Sequence, residues 1–293
     1  HHSSPRLDAY TIITQRHCTS LLKMISDQSL EKLIPGISDC EKEAHLNLLP
    51  DSYFAENDVG DIVLHLQMVH DLLNRISDAD SFGTLIPIIN WREDEKSPFT
   101  IATIVTWDRA GLFHKLTASF FYAGYSIKSA SAISREDNIA IDTFLVSPRD
   151  QESFSEYYAR QIFEERLSKK LASTDFGDSK LDEFIETLES GEKESSDPDA
   201  PQLSPKVEVY DEISKRRAII NTHSTDAPGL LYRLAQVVHS HEFDITSAHI
   251  HTERGIAFDE LRIKSRDPKA RIDRDQLTNL KCSLLAALER INH

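Results

Sequence analysis

The chain has 293 residues, 40% hydrophobic and 28% charged, ordinary values for a soluble globular protein of one large domain or two to three small ones. Lys and Arg number 33 against 48 Asp and Glu, and the net charge of -15 argues against nucleic acid or an anionic membrane as the main partner. No apolar run approaches the ~20 residues of a membrane span, and no signal peptide opens the chain.

His1, His2, Ser3 and Ser4 read as the end of a purification tag. Apolar positions recur at helical spacing over 7–34 and stop near Pro35-Gly36. A second helical patch covers 39–48. A third begins near Asp58, a good N-cap, and carries Ile62, Leu66, Val69, Leu72, Leu73 and Ile76. Residues 5–82 are therefore expected to form an all-helical segment. Cys18, Cys40 and Cys282 are odd in number and far apart, which reads as reduced thiols in a cytoplasmic protein.

The pattern then changes. Residues 84–92 and 99–107 are rich in Ile, Val and Thr and read as strands around the turn at Asp94–Pro98. Asp108-Arg109-Ala110-Gly111 follows, then a helix presenting Leu112, Phe113, Leu116, Phe120 and Phe121, closed by Gly124. Strands are expected at 126–135 and 138–147, and a longer helix at 151–172. Residues 173–204 hold ten acidic residues against two lysines and read as a solvated acidic insert. Strands at 206–212 and 217–224 come next, then Asp226-Ala227-Pro228-Gly229 and a helix with Leu230, Leu231, Leu234, Val237 and Val238. Strands at 244–253 and 256–264 precede a last helix, 273–291, with Leu277, Leu280, Leu284, Leu288 and Ile291 on one stripe.

The order strand, D-x-x-G-L, helix, strand, turn, strand, helix thus occurs twice. A shift of 118 lays Asp108 on Asp226, Gly111 on Gly229, Ile127 on Ile245 and Ser129 on Ser247; after a one-residue gap, 117 lays Asp142 on Asp259. Two copies at this period describe a tandem domain pair, each a sheet covered by helices. The repeated loop has two readings. A Gly there lets the backbone approach a ligand, the helix N-terminus suits a carboxylate, and the Asp suits an ammonium group. Alternatively Asp108 and Asp226 are simple helix caps.

DRAGLFHKLTASFFYAGYSIKSASAISREDNIAIDTFLV and APGLLYRLAQVVHSHEFDITSAHIHTERGIAFDELRI resemble tandem ACT domains, small ferredoxin-like modules that commonly bind amino acids at domain interfaces. More specifically they are similar to the regulatory region of the bifunctional PII uridylyltransferase/uridylyl-removing enzymes, with a long helix and a P-x-V strand, Pro205-Lys206-Val207, after the first repeat. LPDSYFAENDVGDIVLHLQMVHDLL resembles the helical segment before the pair. The resemblance implies an α+β fold: a helical segment at 5–82, a first βαββαβ ACT domain at 83–212 with its acidic insert at 173–204, and a second at 213–293. Ala110, where that family usually has Pro, and the acidic insert depart from its pattern.

The same resemblance implies glutamine sensing that controls catalytic domains outside this chain, with the PII protein as their partner. The ligand residues it points to are Asp226, Pro228, Gly229 and Leu230, then Asp108, Ala110, Gly111 and Leu112, with Ser247 and Ser129 on the strands beside the loops. No catalytic motif, metal site or cofactor is expected here; a divalent metal such as magnesium would serve the enzyme's catalytic domains. The alternative is a protein-interaction module with no small-molecule ligand, and a homodimer is left open. His70-Asp71 spells the HD motif of metal-dependent hydrolases, but His65 and His70 lie five apart, not the four that share a helix face. His249 and His251 share a strand face with no third ligand assured, and exposed sheet-face residues are the plainer reading.

Overall fold

The structure, a computed structural model, describes residues 34–78, 86–95, 97–149, 155–172, 203–212, 216–227, 229–267 and 269–291. The helix expected over 7–34, up to residue 33, and the acidic insert, up to residue 202, lie outside the described residues. The described residues form seven helices and eight strands. In chain order these are α1 (Asp39–Asn47), α2 (Asp51–Glu56), α3 (Val59–Asp78), β1 (Ile88–Glu93), β2 (Thr100–Trp107), α4 (Leu112–Tyr122), β3 (Tyr125–Ser134), β4 (Ile139–Pro148), α5 (Glu156–Ala172), β5 (Lys206–Glu212), β6 (Arg217–Thr225), α6 (Leu230–Ser240), β7 (Phe243–Glu253), β8 (Ile256–Ser265) and α7 (Arg274–Ile291). The strands make an eight-stranded antiparallel sheet in the order β1-β2-β4-β3-β7-β8-β6-β5.

Residue contacts divide the chain into two compact units. The first takes described residues up to 90, with 103–108 and 133–142; the second takes 91–102, 109–132 and those from 143 onward.

The first unit is built on α1 to α3. Ser38 caps α1 in a reciprocal box: its Oγ accepts from the Glu41 N–H at 3.2 Å, and Glu41 Oε2 accepts from the Ser38 N–H at 2.8 Å. Asp58 accepts from the Asp61 N–H at 2.9 Å where α3 begins, as the sequence led us to expect. The short α2 carried no periodic signal, yet its Tyr53 and Phe54 are buried. They pack with Leu49, Ile62, Val69, Leu72, Ile88, Val105, Ile139 and Ile141 into one apolar cluster. Inside it runs a polar chain. Tyr53 Oη lies 3.3 Å from His45 Nε2 and 2.9 Å from His65 Nδ1, and the Arg135 guanidinium, paired with Asp137, reaches His45 Nδ1 at 3.4 Å.

In the second unit, Phe120 stacks on Phe163 with ring centroids 4.1 Å apart, while Trp91, Tyr125 and Phe144 pack around them. β6 alternates buried and half-buried residues along its length, the pattern of a strand with one face on a core. Leu280, Leu284 and Leu288 of α7 are fully buried, so the leucine stripe is a core face. Helix α6 packs on α7 and on α4.

The position of β5 departs from the expected βαββαβ order. β5 pairs with β6, from Lys206 opposite His223 to Glu212 opposite Arg217, and forms the sheet's far edge. The edge strand comes before the strand–loop–helix unit, not after its second helix; β1 stands likewise beside β2. The reason is chain length. Only four residues separate β5 from β6, whereas some thirty follow α5 before β5 begins, so the local antiparallel hairpin closes at lower entropic cost.

Candidate functional site

The two repeats share backbone detail as well as sequence. The Asp108 N–H donates to the Asn138 carbonyl at 2.7 Å, and the Asp226 N–H donates to the Gly255 carbonyl at 2.9 Å. Gly111 and Gly229 hold the N-cap positions of α4 and α6 in the left-handed region, at φ +70° and +73°. A side chain there would be strained by roughly 1–2 kcal/mol, which is why both loops carry Gly. Neither helix has a side-chain cap, so the simple capping reading of Asp108 and Asp226 fails. Asp108 accepts instead from the Ser134 hydroxyl, and Asp226 is exposed.

The second loop borders a cleft of about 200 Å³ within the second unit. That exceeds the roughly 150 Å³ of an engineered cavity able to take up benzene. The second repeat lines the cleft with Asp226, Ala227, Gly229, Leu230, Leu231 and Tyr232, and with Ile250, Thr252 and Asp259. The first repeat adds Thr117 and Phe121 of α4, Tyr125, Ser126, Ile127 and Lys128 of β3, and Arg149. Residues of both repeats meet here because β3 pairs with β7, Ala130 opposite Ala248, and α4 packs on α6.

The cleft carries both signs of charge. Lys128 Nζ donates to Ser126 Oγ at 3.4 Å, and the Arg149 guanidinium sits 4.2 Å above the Phe121 ring. Asp259 is the unusual member. It is 3% exposed, its Oδ2 accepts from Thr222 Oγ1 at 3.2 Å, and its Oδ1 has no hydrogen-bond partner in the protein. Burial, and then the nearby Asp226 charge, push its carboxyl up to about 7, against the lowering effect of the Thr222 bond.

Of the residues singled out from sequence, Asp226, Gly229 and Leu230 border this cleft; Pro228 lies outside the described residues. Ala110, Gly111, Leu112, Ser129 and Ser247 do not line it. Ser129 and Ser247 sit half-buried where β3 meets β7, opposite His249 and Ser131. Lys128, Arg149, Tyr232, Thr252 and Asp259 line the cleft without being singled out by the sequence as site residues. For Asp259 a signal existed: strand alternation puts it on the face of Ala257, Leu261 and Ile263, a carboxylate among core residues.

The histidines have separate roles. His70 Nδ1 meets Glu41 at 2.7 Å and its Nε2 meets Asn74 at 2.8 Å, while His65 bonds Tyr53. They do not converge, and no group of three metal-binding side chains forms among the described residues. His249 and His251 are exposed, and His251 lies against Phe258 with ring centroids 6.3 Å apart. No helix among the described residues is long and apolar enough to cross a membrane.

A cleft shared by two repeats, with a Gly-hinged loop on one side and mixed charge within, is the geometry to set against known proteins. This chain is similar to a part of the bifunctional uridylyltransferase/uridylyl-removing enzymes. It is 25% identical over 297 residues to that of Gluconobacter oxydans (strain 621H), 24% over 245 to that of Erythrobacter litoralis (strain HTCC2594) and 22% over 257 to that of Phenylobacterium zucineum (strain HLK1). These alignments cover 92%, 84% and 85% of this chain but only 30%, 25% and 24% of those enzymes. The chain therefore spans less than a third of the length of the curated relatives it matches. No known protein-family profile matches it. A crystal structure of an unknown protein from Galdieria sulphuraria is 12% identical, over 65% of this chain and 89% of that one, with a TM-score of 0.20, too low to support an argument.

Proposed function

We propose that this chain is a regulatory region with two ACT-type repeats, and that it binds a free amino acid, glutamine first, in the cleft beside Asp226 and Gly229. The observation that carries the reading is the cleft itself: a left-handed Gly loop, a helix N-terminus, Lys128 and Arg149 line one space of amino-acid size. Positive groups and the positive end of the helix dipole suit the ligand's carboxylate, and the two aspartates suit its ammonium group.

The similarity to uridylyltransferase/uridylyl-removing enzymes supports a regulatory target: catalytic domains outside this chain that modify the PII protein in the cytoplasm, using a divalent metal such as magnesium. Glutamine would act through a difference in affinity between two arrangements of the region, which those domains read out.

A thermal-shift screen of the twenty amino acids tests this. Glutamine at a hundredfold its dissociation constant adds about 2.7 kcal/mol, a rise of roughly 5–10 °C in melting temperature for a unit of this size. No shift with any amino acid at millimolar concentration would favour the second reading, a protein-interaction module. One feature supports that alternative: Tyr157, Tyr158 and Ile162 of α5 are exposed at 67%, 64% and 41%.

A further inference from the structure

We propose that Asp259 is the cation-binding residue of this cleft: its buried, unpartnered Oδ1 accepts a hydrogen bond from the ammonium group of the bound amino acid, and the ligand's charge takes the place of a proton. This rests on the reading of the cleft as an amino-acid site and adds the residue that selects for the amine.

Three observations carry it. Asp259 lines the cleft and is 3% exposed. One carboxylate oxygen is bonded by Thr222 while the other has no partner in the protein. A buried polar atom left unbonded is costly, and its persistence beside an open space points to a partner that arrives with the ligand. Third, the charged group that acts on Asp259 is another carboxylate, although Lys128 and Arg149 also line the cleft. Thr222 of β6 and Ile250 of β7 flank Asp259 in the sheet. Tyr232 of α6, Asp226 of the preceding loop, Lys128, Tyr125 and Arg149 line the cleft with it. Asp226 is the charge that acts on Asp259, and it is of like sign. Two carboxylates near one another attract either a proton or a cation.

The empty site holds a proton near neutral pH, and an ammonium ligand requires the ionised form. Binding therefore releases a proton to solvent and weakens as pH falls through about 7. Calorimetry on the purified chain provides the test, with L-glutamine and its analogue lacking the amine, 4-carbamoylbutanoate. The wild type should bind glutamine about tenfold more tightly at pH 8 than at pH 6. In two buffers of different ionisation enthalpy it should release about half a proton at pH 7. Asp259→Asn should weaken glutamine at pH 8 by about tenfold or more, lose the pH dependence and no longer prefer glutamine over the analogue. The proton count needs no variant, so it holds even if the substitution perturbs folding. Glutamine binding to wild type with no proton release and no pH dependence overturns the role of Asp259 and leaves the amino-acid site standing. A wild type that binds none of the twenty amino acids overturns both.

Discussion

Replacing Asp259 with Asn is expected to make the empty protein more stable at pH 8, by up to about 4 kcal/mol. Burial and the Asp226 charge raise the folded-state carboxyl from 3.8 to about 7, so the folded chain holds a proton that the unfolded chain has already released. The stability from such a group is complete below about 3.8 and is lost as pH rises through 7. Asn keeps the shape and the Thr222 bond without the charge. The gain should be small at pH 4 and grow towards pH 8, which urea unfolding at several pH values will read. An equal effect at pH 4 and pH 8 would show that Asp259 is an ordinary ionised carboxylate. A substitution that stabilises the protein while weakening its ligand would mark Asp259 as retained for binding, not for folding.

The second large effect has the opposite sign and sits in the helical unit. His45 is 1% exposed, and burial, then the nearby Arg135 and His65 charges, push its ring down to about 3. Here the unfolded chain takes up the proton first, so stability is full above about 6.5 and is lost as pH falls towards 3. Between pH 7 and pH 4 His45 alone should cost about 3 kcal/mol. His114, buried between α4 and α6 with its ring stacked on Tyr232 at 4.7 Å, is held down to about 4 and adds a loss in the same direction. Asp259 offsets part of this in the wild type, so the readout is a comparison. His45→Gln should lose about 3 kcal/mol less than wild type on going from pH 7 to pH 4 in urea unfolding. An identical loss in both proteins would mean that His45 titrates normally.

The sequence carried the elements well and their meeting points poorly. Helical spacing, the Asp58 cap and the leucine stripe of α7 are local signals, and each appears where the pattern put it. The repeat was legible down to conformation. Gly124 and Glu242 both take positive φ, as do Asn138 and Gly255, at the offsets of 118 and 117 that align the two copies. What local pattern could not give was pairing. β5 joined β6 because a short connection favours a hairpin, a fact that no side chain of β5 announces. The cleft was half visible for the same reason. The D-x-x-G-L loop can be read along the chain, but Lys128 and Arg149 join it in the cleft through the β3–β7 pairing and the packing of α4 on α6, and Asp259 through the pairing of β8 with β6. Ser129 and Ser247 lie on the strands beside the loops, and a place on a neighbouring strand does not say which residues line a space that the two copies build together.

Amide chemical shifts of the isotopically labelled chain, followed as L-glutamine is added, test most directly whether a free amino acid occupies the cleft beside Gly229. Saturable changes are expected, concentrated at Lys128, Arg149, Gly229, Leu230, Thr252 and Asp259. No saturable change, or changes centred away from these residues, would contradict that occupancy.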